Sequence, residues 1–113
     1  MSLKALFDRA MKLRDGDGLA NDREAMKYFR AAAEKGHSTA ATWLGSMYST
    51  GGGTLTIDLK EAIRWYIKAA EGGDLTAMSA LGIMYRNGDG TPVNYEEACK
   101  WQQTGELQLR WHR

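Results

Sequence analysis

The chain has 113 residues, 43% of them hydrophobic, with fifteen basic side chains against fourteen acidic ones. That length suits one domain or a short repeat array, and a net charge of +1 lacks the basic excess of a nucleic-acid binder or a polybasic membrane patch. No run of about 18 apolar residues is present to span a membrane, and a lone cysteine, Cys99, excludes an internal disulfide framework.

Ser2 to Arg14 carries apolar residues at Leu3, Leu6, Phe7, Ala10, Met11 and Leu13, the stripe of an amphipathic helix. Mixed charge and the lack of an apolar core distinguish this segment from a signal peptide, so the expected location is cytoplasmic. Asp15-Gly16-Asp17-Gly18 ends the helix, because glycine accepts the left-handed conformation of a helix C-terminus. Asn21 or Asp22 is predicted to cap a second helix, which carries Ala25, Met26, Tyr28, Phe29, Ala32 and Ala33 and stops at Gly36. Ser38 or Thr39 opens a third, through Tyr48, and residues 49–57 form a turn and loop. Asp58 caps a fourth, with Glu61 at near capping-box spacing. Its apolar side holds Ala62, Ile63, Trp65, Tyr66, Ile67, Ala69 and Ala70, and Gly72-Gly73 ends it. Asp74 starts a fifth helix, Leu75 to Arg86, which Asn87-Gly88-Asp89-Gly90 stops. Asn94 caps a sixth, through at least Gln103. The short Thr54–Ile57 stretch is a loop by position, and no other alternating β-branched run appears.

The elements recur. Leu44-Gly45, Met47-Tyr48, Gly51 and Gly53 return 37 residues later as Leu81-Gly82, Met84-Tyr85, Gly88 and Gly90. Ala62 and Trp65 return 36 residues later as Ala98 and Trp101. A period in this range marks a solenoid, in which each unit buries its apolar face on the next. Six helices in three hairpins follow, one all-α repeat domain over 1–113 with units of about 1–36, 37–73 and 74–113. Ala25, Ala62 and Ala98 are small residues at close helix approaches, and Tyr28, Trp65 and Trp101 are large aromatics one turn later, of which Trp65 and Trp101 are expected in the core. Gly45 and Gly82 sit inside helices at a cost of roughly 1 kcal/mol against alanine. Close packing of a partner helix would offset it, with Ala10 in the same slot of the first unit. Cys99 aligns with Met26 and Ile63 and is expected to be a buried small hydrophobe.

The runs LGSMYSTGGG, DLKEAIRWYIKAAEGG and ALGIMYRNGDGTPVNYEEACKW resemble the Sel1-like repeat family, α-solenoids related to the tetratricopeptide repeats. The second unit matches nearly throughout, the third as far as Trp101, and the first chiefly from Asn21 to Gly36. Gln102-Gln103-Thr104-Gly105-Glu106 then replaces the expected Ala-Ala-Glu-Gly run, and the tail reads as a capping helix, a divergent end or a truncated array. The resemblance implies a right-handed α-solenoid that binds a partner protein or peptide, with no cofactor and no chemistry of its own.

It also implies which face binds. In tetratricopeptide arrays the first helix of each hairpin lines the concave surface. Carried over, the groove positions are Lys4, Phe7, Met11 and Arg14, then Thr39, Thr42, Ser46 and Ser49, then Thr76, Ser79, Ile83 and Arg86. Phe7, Met11 and Ile83 are apolar there, and either anchor a partner or cover a neighbouring helix. Trp43 breaks the repeat pattern, since Ala80 holds its slot next door, so it is either a contact residue or packs locally. Trp111, in the tail, has the same two readings.

Other constellations are weak. His37 and His112 have no second ligand at metal spacing. The Asp15-Gly-Asp-Gly and Asn87-Gly-Asp-Gly runs lack the later ligands of an EF-hand. Gly51-Gly52-Gly53 lacks the Gly-Lys-Ser/Thr of a phosphate loop, and no nucleophile, base and orienting acid assemble. Three alternatives to an adaptor stand: a bacterial or phage effector or inhibitor using the same surface, a purely structural fragment of a longer array, and a hydrolase. Some cysteine-rich members of the family are associated with β-lactam chemistry, but this sequence lacks their paired cysteines.

Overall fold

The computed structural model describes residues 2–14, 19–51 and 56–111, with side chains over 2–13, 24–51 and 56–107, and every regular element among them is a helix. The helices are α1 (Leu3–Arg14), α2 (Leu19–Glu34), α3 (Ser38–Thr50), α4 (Leu59–Glu71), α5 (Leu75–Asn87) and α6 (Tyr95–Trp111). They pair as α1–α2, α3–α4 and α5–α6, and successive hairpins stack through α2–α3 and α4–α5. Each helix thus packs chiefly on its neighbours in sequence, as a solenoid requires.

Caps and stops set the boundaries. Asp58 accepts from the Glu61 N–H, Asp74 from the Ala77 N–H and Asn94 from the Glu97 N–H, at 3.2, 3.0 and 3.1 Å, each satisfying an orphan donor of a first turn. The cap of α3 is different: the His37 Nδ1 accepts from the Ala40 N–H at 3.1 Å, and Ser38 is already helical. Gly51 and Gly88 end α3 and α5 in the left-handed conformation. The loops that follow close alike, since the cap residue's N–H donates to a tyrosine carbonyl, Asp58 to Tyr48 and Asn94 to Tyr85. Gly90 is required twice over. Its φ is +75°, and a Cβ there would lie 2.7 Å from Leu59, against which the loop of the third hairpin rests.

Burial follows the helical period. In α4 the buried residues are Ala62, Ile63, Trp65, Tyr66, Ala69 and Ala70; in α3 they are Ala40, Ala41, Leu44, Gly45 and Met47. Phe29, Leu44, Met78 and Leu81 are the largest fully buried side chains, spread over all three hairpins. Ala25 and Ala62 are fully buried and Ala98 nearly so, as the close-approach reading requires. Trp65 and Trp101 are core residues too. Their indole N–H groups find no acceptor, and the Lys68 and Lys100 ammonium groups sit over their rings at 5.3 Å.

Four expectations change. The backbone of α2 begins at Leu19, so Asn21 and Asp22 lie in its first turn and are not its cap; residues 15–18 lie outside the described set. α3 runs to Thr50, past Tyr48, while α6 reaches Trp111, in keeping with a helix through at least Gln103, so the divergent tail continues one helix. Cys99 is exposed, although the aligned Ile63 is 8% exposed. α4 packs on α5 of the following hairpin, whereas no hairpin follows α6 among the described residues. Finally, α1 aligns with α3 at an offset of 34 residues: Leu6, Phe7, Ala10, Met11 and Leu13 are buried or half-buried like Ala40, Ala41, Leu44, Gly45 and Met47. An offset one longer would set exposed Arg9 and Lys12 opposite buried Leu44 and Met47. Met11 therefore fills the slot of Gly45, and Ala10 that of Leu44.

Candidate functional site

Once the buried stripes are assigned, the first helices of the hairpins show a second, outward row. On α5, Thr76, Ser79, Ile83 and Arg86 are all exposed, at helical spacing, with Ile83 at 46%. On α3, Thr39 is exposed, while Thr42, Ser46 and Ser49 are half-buried between the flanking hairpins. Several hydroxyls are satisfied within the helix. Thr42 Oγ1 donates to the Ser38 carbonyl at 3.2 Å, and Ser49 Oγ to the Ser46 carbonyl at 3.0 Å. Such hydroxyls keep lone pairs free as outward acceptors and present a short, low-entropy surface.

α1 contributes differently from the sequence expectation. At the 34-residue offset, the partners of Thr39, Thr42 and Ser46 are Ala5, Asp8 and Lys12, and all three are exposed. Phe7 and Met11 lie on the inner stripe, half-buried and packed against the core. Lys4 is exposed, and the side chain of Arg14 is outside the described set.

Phe7 belongs instead to an aromatic cluster at the junction of the first two hairpins. Its ring stacks on His37 at 4.4 Å and tilts against Phe29 at 5.9 Å, and Phe29 stacks on Trp43 at 6.1 Å. Trp43 is half-buried in that cluster. Arg30 donates a hydrogen bond to the Tyr48 hydroxyl across the same junction. His37 is the residue that sequence reasoning missed. Its position, 37 residues before the cap Asp74, marked it as a cap, although histidine is not a usual one.

Two further features of the surface matter. Tyr85, half-buried at the end of α5, has its phenol held above the usual tyrosine value, first by burial and then by the negative charge of Glu97. Among the described residues no group of three His, Cys, Asp or Glu could hold a metal ion, and no helix is long and apolar enough to cross a membrane.

A family model described as Sel1 repeat matches residues 4–37, 38–74 and 75–103. The chain is a member of the Sel1 repeat family. Sel1 repeat proteins are generally protein-interaction modules. The matched units begin at 4 and 38, the same 34-residue offset that burial shows. No curated protein matches the chain. Among solved structures, it is similar to c5321 of Escherichia coli, described as a protective antigen of uropathogenic strains with an SLR fold. Identity is 34% at a TM-score of 0.83, covering 95% of this chain and 23% of that one. A Sel1 repeat protein from Oxalobacter formigenes is 32% identical at a TM-score of 0.82, with 95% and 44% covered. The chain thus spans less than half the length of either relative. The cysteine-rich protein B of Helicobacter pylori shares the fold, at 22% identity and a TM-score of 0.74 over 98% of this chain and 89% of that one. The all-α, right-handed solenoid expected from the repeats is the fold of this Sel1 chain.

Proposed function

We propose that this Sel1 array is an adaptor that holds a partner protein or peptide along the outward row of its first helices, on the concave side of the solenoid. The observation that carries the reading is the row itself: Thr39, Thr42 and Ser46 on α3 continue into Thr76, Ser79, Ile83 and Arg86 on α5. Short hydroxyl residues let a partner backbone approach closely. Ile83 offers one exposed apolar anchor and Arg86 a cation three residues on, and arginine is among the residues that most often anchor an interface. Asp8 and Lys12 extend the row onto α1 with charges of both signs, and Trp43 lies beside it at the junction. The stacked hairpins arrange these groups before binding, which lowers the ordering cost of association.

A photo-crosslinking amino acid placed at Ser79 or Ile83, and separately at Arg64 on α4, tests the assignment in extract of the native host. A discrete adduct from positions 79 and 83 but not from 64, lost when Arg86→Glu is added, is the expected result. Equal labelling from position 64 would place binding elsewhere. The same surface would serve an effector or inhibitor, and the identity of the captured protein separates these uses.

A further inference from the structure

The first helices of the hairpins differ from the second in charge. α1, α3 and α5 carry Lys4, Arg9, Lys12, Arg14 and Arg86 against a single carboxylate, Asp8. α2, α4 and α6 together hold acidic and basic residues in equal number. The contrast is sharpest in the middle: α3 and α5 have 13 residues each, and Arg86 is the only charged side chain in either. A helix face turned to water ordinarily carries charges. The second helices show this, with the ion pairs Glu24–Lys27, Glu61–Arg64 and Glu97–Lys100 in matching places. The outward row of the first helices instead has an uncharged floor on α3, flanked by exposed Lys12 on α1 and exposed Arg86 on α5. Of the carboxylates that flank α5 in sequence, Asp74 caps the helix and Asp89 is half-buried. Asp8, one turn before Lys12, repels a second acid there and confines a partner's carboxylate to the Lys12 turn.

The floor has a polarity of its own. Thr42 Oγ1, Ser49 Oγ and Thr50 Oγ1 donate their protons to the carbonyls of Ser38, Ser46 and Ser46, at 3.2, 3.0 and 2.8 Å. They turn lone pairs outward, so at these positions the floor accepts hydrogen bonds and does not donate them. A surface that accepts in its middle and holds cations at its two sides is matched by N–H donors lying between two anions. An extended peptide with spaced acidic side chains has that pattern. A nucleic-acid strand does not, because a phosphate at every nucleotide would set anions over the lone pairs of α3. Packed helices lie about 8–10 Å apart, so α1 and α5 are separated by roughly 16–20 Å across α3. At about 3.3 Å per extended residue, side chains that reach Lys12 and Arg86 are roughly five or six positions apart.

We propose that the segment held along the first-helix row is an acidic, extended peptide. Two Asp or Glu residues at that spacing meet Lys12 and Arg86, uncharged residues cross α3, and an aliphatic residue beside the second acid covers Ile83. The proposal rests on the adaptor reading and narrows it to one class of partner.

Panning random peptides of about twelve residues, displayed on phage, against the whole chain tests it. The enriched sequences should carry paired acidic residues at the stated spacing. A synthetic copy of the most enriched peptide is expected to bind about tenfold more weakly to Lys12→Glu and to Arg86→Glu. Lys60→Glu, the same change of net charge at an exposed position of α4, should alter affinity by less than about twofold. Arg86→Gln, which adds no carboxylate to the last turn of α5, should also weaken binding, with helical circular dichroism unchanged. Enrichment of neutral or basic peptides, or of the same peptides by the native and Arg86→Glu chains, overturns the proposal. So does displacement of the peptide by oligothymidylate of equal charge, which would give the face to nucleic acid. If peptides of the wrong charge still crosslink to positions 79 and 83, the adaptor reading stands and only the acidic partner falls. If no peptide is enriched, or the enriched ones crosslink to position 64, both fall.

Discussion

Gly45 and Gly82 hold the same slot in consecutive hairpins and yet carry different constraints. A Cβ on Gly45 would meet the Tyr66 ring at 2.8 Å, a contact that must shift an aromatic buried in the core. Gly45→Ala is expected to cost about 1–3 kcal/mol, read as a lower urea midpoint at unchanged slope. Across from Gly82 stands Gln102 in place of the tyrosine, and its Cγ would lie 3.4 Å from the new Cβ, an ordinary contact. Gly82→Ala should leave the midpoint unchanged or raise it, by up to about 1 kcal/mol of helix propensity. A clear loss from Gly82→Ala would show that slot to be as tight as the other. The glycines themselves were legible in the sequence as a repeat. Their difference was not, because it is written across the hairpin at residue 102. Tyr85 offers a test of another kind. Folding favours its neutral phenol, so its contribution is complete below the ordinary value of 10.0 and fades as pH rises through the higher folded value. Tyr85→Phe should make stability fall less steeply above about pH 10, and an unchanged alkaline slope would remove the phenol from the account.

At the scale of the helix, starts were legible where the cap was an Asp or Asn and obscured where it was not. Asp58, Asp74 and Asn94 cap as their residue types dictate. His37 does the same work with a ring nitrogen, and its ring is also stacked on Phe7. Replacing either aspartate by alanine should cost about 1 kcal/mol in thermal unfolding. His37→Ala should cost more than either, because it removes the cap and the Phe7 stack together, and His37→Asn should restore the cap part alone. A His37→Asn chain no more stable than His37→Ala would mean that the ring contact, not the Nδ1 acceptor, matters. The far end of α6 tests the tail. Gly105 replaces the buried Ala69 of α4, and a Cβ there would touch Met78 at 3.9 Å in ordinary contact. Gly105→Ala should therefore raise stability by about 1 kcal/mol. The polar run after Trp101 hid this continuation, since the repeat pattern ceases there while the helix does not.

For the whole molecule, what the sequence showed and what it concealed divide along the solenoid axis. A residue's place within its own hairpin follows from period and pattern, so the alanine and tryptophan slots were legible. Burial by a next hairpin is not written in a unit's own pattern; no hairpin follows α6 among the described residues, and Cys99, expected inside, is exposed. The register of α1 was obscured because its sequence matches the repeat only loosely, without the Leu-Gly and Met-Tyr pairs of α3 and α5, and Phe7 and Met11 were consequently read onto the outward row. The same axial logic predicts how damage spreads. Leu44 is fully buried in α3, which packs on both α2 and α4, whereas Leu6 is 7% exposed in α1, at one end. Leu44→Ala should cost roughly 2–5 kcal/mol and lower hydrogen-exchange protection in all three hairpins, because it weakens the central hairpin, whose two helices make both inter-hairpin contacts. Leu6→Ala should loosen α1 and α2 while amides in α5 keep nearly their original rates, as nearest-neighbour coupling requires. If Leu6→Ala instead speeds exchange in α5 as much as in α2, the three hairpins unfold as one cooperative block, and stability here is not a sum over repeats.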